Sequence, residues 1–338
     1  MKLLIAASAL LAAPAAAQTT PLFASDDPIR ITIRGPVNAV ARAAEDSTEP
    51  RDALLSLGGT AETYPIRLSA RGITRRTKAV CSFPPLRVDF AQKPPASSLF
   101  AGQGRLKLVT HCQSSESFQQ HLLLEYSAYR IFNLISPASF RVRLATVDYA
   151  EANGRVTTSR WGFFIEDLDD AARRNGMRRA QVGDRIASNQ LESRQAARMA
   201  LFEYMIGNLD WSMRAGPQGE GCCHNGRLIS PGPAPYLPLP YDFDYSGLVD
   251  APYSVPPESV PVSNVKTRYY MGYCRFNSEV VAAAAEFRAK RPAIEAVFSQ
   301  VPLTQRPRAK ALAYISSFFA QIATNETLQA KILSKCIS

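Results

Sequence analysis

The stretch "RLKLVTHCQSSESFQQHLLLEYSAYRIFNLI", Arg105 to Ile135, changes its period halfway along. Up to Cys112 the side chains alternate: Leu106 and Leu108 take one face and Lys107 the other, as in a half-buried strand. From Glu116 the period becomes helical. Phe118, Leu122, Glu125, Tyr129 and Phe132 follow at spacings of 4, 3, 4 and 3, which is one stripe of a helix with a glutamate in its middle.

This junction organises the rest of the chain. Upstream, "YPIRLSARG" and "KAVCSFPPLRVDF" read as strands and "AQKPPASSLFAGQG" as a loop. Residues 18–50 are mixed, although "IRITIRG" (29–35) alternates like a strand. Downstream, "SFRVRLATVDY" and "TSRWGFFIED" return to strand. The segment 191–206, "LESRQAARMALFEYMI", reads as a helix stopped by Gly207 and Asn208. Residues 208–265 are rich in loops, and helices are expected near 278–299, 304–322 and 326–335. The pattern predicts an α+β chain with a β-rich first half, a helical second half and a cleft between them.

The first residues, "MKLLIAASALLAAPAAAQ", combine one early cation, a Leu/Ala stretch and small residues before Gln18. That is the layout of a secretory signal peptide cut after Ala17. No later stretch reaches the roughly 20 apolar residues of a membrane-spanning helix. An exported protein in a bacterial periplasm or outside the cell is therefore expected. Six cysteines, Cys81, Cys112, Cys222, Cys223, Cys274 and Cys336, suit an oxidising compartment and read as disulfides. "GCCHNG" raises a metal alternative, but no C-x-x-C pair supports zinc. The formal charge of +10 is scattered, with small basic clusters at 71–78 and 172–180 that read as solvated surface. No nucleic-acid recognition motif accompanies them.

Two groups of residues point to chemistry. Glu125 on a buried stripe needs a partner, and Lys107 is the nearest upstream candidate. Alternatively, Glu125 lies at the rim of the stripe and Lys107 is exposed, and these two residues alone leave both readings open. The second group begins with "YMIGNLDWS", which presents Asn208 and Asp210 after a helix. It continues through "HNGRLI" to "YLPLPYDFDYSG", where Asp242 and Asp244 stand among apolar and aromatic neighbours. Carboxylates in such company need a cation, a metal ion or several N–H donors. There is no G-x-S-x-G elbow and no H-E-x-x-H helix, and His111, His121 and His224 are scattered, so a hydrolase is not indicated.

In order, "LSARGITRRTKAVCSFPPLRVDF", "RLKLVTHC", "LLLEYSAYRIFNLI", "MIGNLDWS", "CCHNGRLI" and "LPYDFDYSGLV" resemble the secreted, atypical members of the protein-kinase-like superfamily. The layout is similar to spore-coat CotH-type kinases and, more distantly, to HipA-type and Fam20-type kinases. The resemblance covers roughly residues 64–250. It implies a two-lobed protein-kinase-like fold: residues 64–170 as a β-rich lobe with one αC-like helix, and 171–338 as a mainly helical lobe, after an extension at 18–63. It implies Mg²⁺ or Mn²⁺ with ATP, and phosphoryl transfer to an unknown hydroxyl-bearing acceptor, a protein or an envelope polymer.

Carried over by position, Arg71-Gly72 stands for the Gly-rich loop, Lys107 grips phosphates and Glu125 orients Lys107. Asp210 is the catalytic base and Asp242 a metal ligand, with Asn225 or Asn208 as the second ligand. The chain departs from the common pattern in having Ala215 where kinases place the metal-binding Asn, and Asp244 where they place Gly. The same layout implies Cys81–Cys112, Cys223–Cys274 and Cys222–Cys336 pairing. Two alternatives stand beside this reading. One is a pseudokinase or envelope binding module, because ATP is scarce outside the cytoplasm. The other is a nucleotide-sugar glycosyltransferase using Asp242-Phe243-Asp244 as its D-x-D.

Overall fold

Alternating residues from Ile29 onward build one closed wall in the computed structural model, which is described for residues 19–338. The expected signal peptide lies outside the described residues. Strand β1 (Ile29–Arg34) is followed by helix α1 (Val37–Ala43), β2 (Arg51–Leu57), β3 (Thr63–Ala70), β4 (Leu86–Phe90) and β5 (Arg105–Val109). The long helix α2 (Glu116–Ile135) then precedes β6 (Val142–Ala150) and β7 (Val156–Ile165). The seven strands close in the order β1-β2-β3-β4-β5-β7-β6. Neighbours are antiparallel except β1 and β6, which run parallel from Ile29↔Ala145 to Arg34↔Ala150. Closure leaves neither β1 nor β6 with an unpaired edge.

The strand period of two decides what fills the barrel. Ile31, Ile33, Leu55, Ile66, Leu68, Val88, Leu106, Leu108, Val147 and Phe164 point inward and form one core. The opposite faces of β5, β6 and β7 are buried as well, since Val109, Leu144, Phe163 and Ile165 belong to a second core that contains α2. Helix α2 is therefore buried on every face from Leu122 to Tyr129, as a helix packed on two sides must be.

The rest of the chain completes that second core. It comprises α3 (Leu168–Arg174), β8 (Arg178–Arg179), α4 (Ser193–Ile206), β9 (Gly226–Ser230) and β10 (Leu237–Pro240). Three helices finish the chain: α5 (Asn277–Gln300), α6 (Gln305–Gln321) and α7 (Asn325–Lys331). The short strands pair in the order β10-β9-β8. Helix α4 ends where expected, with Gly207 in the left-handed region at φ 65° and its N–H bonded to the last turn. No helix among the described residues is long and apolar enough to cross a membrane.

This architecture corrects the expected two-lobed protein-kinase-like fold. A closed, mixed seven-stranded barrel, a three-stranded sheet and seven helices stand in its place among the described residues. The physical reason lies in residues 29–57, whose inward Ile31, Ile33, Ala53 and Leu55 add two strands and close the sheet on itself. Nor does α2 belong to one half, because it packs on β7 and β6 on one side and on α5 and α4 on the other.

Two of the expected disulfides are also corrected. Cys81–Cys112 is present, but the other bridges are Cys222–Cys223 and Cys274–Cys336. The chain end returns to pair Tyr273 with Ile337, and this brings Cys336 to Cys274.

Candidate functional site

A cavity of about 920 Å³ opens where the end of β3 and the outward face of β5 meet the loops around β9 and β10. Arg71, Gly72, Lys107, Asp210, Asn225 and Asp242, six residues singled out from the sequence, all line it. Glu125 and Asn208 do not: both are about 1 % exposed and lie behind the wall. A single concave site with convergent charges is the expected form of a ligand site.

The cationic side is organised by Tyr241, which follows β10. Because Leu106 and Leu108 face into the barrel, Lys107 must face out, and its Nζ lies 4.5 Å from the centre of the Tyr241 ring. The Arg227 guanidinium sits 5.3 Å from the same ring centre, and Arg71 Nη2 donates to the Tyr241 hydroxyl. Gly72 holds φ +88°, a conformation that turns the chain just after Arg71. Burial pushes the Tyr241 phenol up, but Arg71 and Lys107 outweigh it and hold the group below its ordinary value. Three cations thus stand around one aromatic side chain.

Behind the cavity, one arginine gathers three carboxylates. Arg75, 8 % exposed, lies in a tight turn at Thr74–Arg76 between β3 and β4. Its Nη1 reaches Glu125 Oε2, its Nη2 reaches Asp242 Oδ1 and its Nε reaches Asp244 Oδ2, each at 3.2 Å. A planar guanidinium has donors for all three, whereas one ammonium could not fork in this way. Tyr253 donates its hydroxyl to Asp244 Oδ2 at 3.0 Å, and the Asp242 N–H donates to the Tyr129 hydroxyl at 2.9 Å.

Burial pushes the Glu125 carboxyl up to about 8. Arg75 opposes the shift, while Asp244 and Asp242 add to it. Burial likewise lifts Asp244 to about 6. Glu125 therefore holds a proton more tightly than a free carboxyl does, and its buried Oε1 has no hydrogen-bond partner. Arg75, and not Lys107, is the partner of Glu125. The expected Lys107–Glu125 pair is corrected because strand alternation turns Lys107 towards Tyr241.

The third group surrounds Asp210. His224 Nε2 lies 2.6 Å from Asp210 Oδ1, and Asn225 Nδ2 donates to Asp210 Oδ2 at 2.9 Å and to its carbonyl at 2.7 Å. The carboxylate is the acceptor, so the His224 tautomer is the one with hydrogen on Nε2. The hydrogen bond to Asp210 raises the His224 imidazole above its ordinary value. Asn208 supports the turn from beneath, its Oδ1 accepting the Asp210 N–H at 3.1 Å, while Trp211 Nε1 donates to the Asn208 carbonyl. Asn225 adopts φ 44° and Asp242 φ 64°, two non-glycine residues in the left-handed region that line one cavity, where the Tyr241 N–H donates to the Asn225 carbonyl at 3.1 Å.

Among the described residues no three His, Cys, Asp or Glu side chains converge as a metal-binding group. The open donors are of one chemical kind. Asp242 gives one oxygen to Arg75 and keeps the other, and Asn225 donates through Nδ2 and keeps its amide oxygen. Carboxylate and amide oxygens suit a hard cation such as Mg²⁺ or Mn²⁺, whose remaining positions come from water or phosphate. The residues present fit such a cation arriving with its ligand.

Sequence reasoning missed Arg75, Tyr241 and Arg227, and it favoured a structural role for His224, which lines the cavity. Arg75 belongs to the basic run 71–78, which reads as solvated surface. The available signal was the need of three acids in apolar surroundings for one forked donor. Neither protein-family models nor curated proteins give a match to this sequence.

Proposed function

We propose that this cleft binds the phosphates of a metal–nucleotide complex and transfers a phosphoryl group to a hydroxyl-bearing acceptor, in an exported protein. One observation carries the proposal: a single cavity is lined by Arg71, Lys107 and Arg227 together with the oxygen donors of Asp210, Asn225 and Asp242. A polyphosphate with a divalent cation presents both charges at once, so both kinds of group have a counterpart. Three disulfides suit an oxidising compartment, which supports export.

In this mechanism Lys107 and Arg71 neutralise the charge that develops on the phosphoryl oxygens. The acceptor oxygen bonds to the terminal phosphorus as the bond to the leaving phosphate oxygen breaks. Asp210, fixed by His224 and Asn225, receives the hydroxyl proton. A bound Mg²⁺ or Mn²⁺ would supply further charge neutralisation from the Asp242 and Asn225 side. The acceptor is a protein hydroxyl or an envelope polymer.

A second reading, capture of an anionic ligand without chemistry, is favoured by Arg75, which already engages one oxygen of Asp242. The two readings separate in one assay. The oxidised protein is incubated with terminally labelled ATP and Mn²⁺, and released or transferred label is counted against Asp210→Asn. Turnover that falls by about 10²-fold or more in the variant, with nucleotide binding kept, supports transfer. Binding with no label released or transferred by the wild type leaves the capture reading in its place.

A further inference from the structure

The two long-range bridges and the vicinal one cannot serve the same purpose. Cys81–Cys112 and Cys274–Cys336 close sequence separations of 31 and 62 residues, and each limits the unfolded chain substantially. A bridge between neighbours closes almost no loop, so chain entropy gives Cys222–Cys223 no comparable part in stabilising the fold. Its location is distinctive instead. Both cysteines line the cavity, and Cys222 is partly exposed there while Cys223 is buried.

The bridge also sits at the root of the site. The next two residues, His224 and Asn225, hold the two oxygens of Asp210. The Cys223 carbonyl accepts from Arg227 Nη1 at 3.0 Å, and Arg227 covers the Tyr241 ring. The backbone around it is pinned by short bonds, with His224 N–H to the Ala215 carbonyl at 2.8 Å and Ser212 N–H to the His224 carbonyl at 2.9 Å. A shift of Cys223 is therefore passed directly to His224, Asn225 and Arg227.

We propose that Cys222–Cys223 is a thiol–disulfide exchange site, reduced and re-formed by a dithiol, which sets the geometry of the ligand site. A thiolate of the dithiol enters through the cavity and attacks Cys222 Sγ, the accessible sulfur. A mixed disulfide forms, and the Cys222–Cys223 bond breaks with Cys223 leaving as thiolate and taking up a proton. The second thiol of the partner then attacks the mixed disulfide, releasing Cys222 as a thiol and the partner as its own disulfide. Two electrons and two protons pass to the protein, and the reverse steps restore the bridge. In the reduced chain the ring around this peptide unit opens, and His224, Asn225 and Arg227 lose their common anchor.

The effect on ligand affinity rests on the phosphate-binding reading above, whereas the exchange itself does not, so the test has two arms. In the first, the oxidised protein is equilibrated with graded ratios of reduced to oxidised dithiothreitol, alkylated and mapped by mass spectrometry. Amide exchange of Ser212 and His224 is followed alongside. Cys222 and Cys223 are expected to be alkylated at reductant ratios at least about tenfold lower than the other four cysteines, with faster exchange at those two amides and an unchanged near-ultraviolet spectrum. Alkylation of all three pairs together, or reduction with no change in exchange, overturns the proposal.

In the second arm, a fluorescent ATP analogue with Mn²⁺ is titrated into oxidised protein, reduced protein and a Cys222→Ser/Cys223→Ser variant. Binding about tenfold weaker in the last two, with no further response to reductant in the variant, is expected. Equal affinity in all three overturns the link to the site. Failure of the oxidised protein to bind the probe, beside selective alkylation and faster exchange, overturns the phosphate reading alone.

Discussion

Two sets of acids lie in the same part of this molecule and are treated in opposite ways. Glu125, Asp242 and Asp244 converge on Arg75, where burial lifts two of them and one guanidinium engages all three. Asp210 stands in the open cavity, held by a histidine and an amide that leave it in contact with solvent. The first arrangement ties the β3–β4 connection, α2 and the segment after β10 together. The second presents a carboxylate to whatever enters. Neutralisation by a buried cation makes a support, while fixation by polar neighbours at the surface makes a reactive group.

The comparison breaks most readily at Arg75. Removing it as Arg75→Met leaves carboxylates buried without a cation, and a loss of about 3–5 kcal/mol in urea-induced unfolding is expected. A loss within about 0.5 kcal/mol, as at an ordinary surface position, would remove the support role.

The next effect is on pH dependence. The Glu125 carboxyl ordinarily titrates at 4.5 and is raised to about 8 in the fold. A raised pKa means that the folded state holds the proton more tightly than the unfolded chain. Its stabilising share is complete below pH 4.5 and is lost as pH rises through 8. Asp244, raised from 3.8 to about 6, acts in the same direction over a lower window. Denaturant midpoints should therefore fall between pH 5 and 8, and Glu125→Gln should flatten the upper part of that slope. An unchanged slope in the variant would mean that folding does not raise the Glu125 carboxyl.

The smallest stability effect belongs to the open site. Asp210→Asn keeps the shape of the side chain and should shift unfolding by no more than about 0.5–1 kcal/mol. A shift as large as that of Arg75→Met would erase the distinction between the two sets of acids.

Much of this was legible wherever the information is local. The switch from period two to a helical stripe at residues 105–135 places β5 and α2, and the alternation at 29–35 marks β1. Gly207 ends α4 as its type suggests. What escaped is long-range. The parallel pairing of β1 with β6 joins residues more than a hundred positions apart, and no local period encodes it. With that pairing unseen, an open β-rich lobe was the natural expectation, and closure of the barrel overturned it.

The same limit governs the site. Arg71, Lys107, Asp210, Asn225 and Asp242 were singled out by their chemistry and by their order along the chain, and the fold brings them to one cavity. The partners were not legible. Arg75 lies fifty residues before Glu125 and inside a basic run, where burial leaves no trace in the sequence. The return of the chain end to residue 273 decided the cysteine pairing in the same way.

Whether the cleft is a seat for phosphates, with Lys107 among its cations, is decided by calorimetric titration of ATP with Mn²⁺ into the oxidised protein and into Lys107→Met, at two salt concentrations. Measurable binding is expected that needs the metal ion, weakens with salt and drops by about tenfold or more in the variant, with little change in folding stability. Binding that is equal in the two proteins, or no binding at millimolar nucleotide, would contradict the phosphate reading.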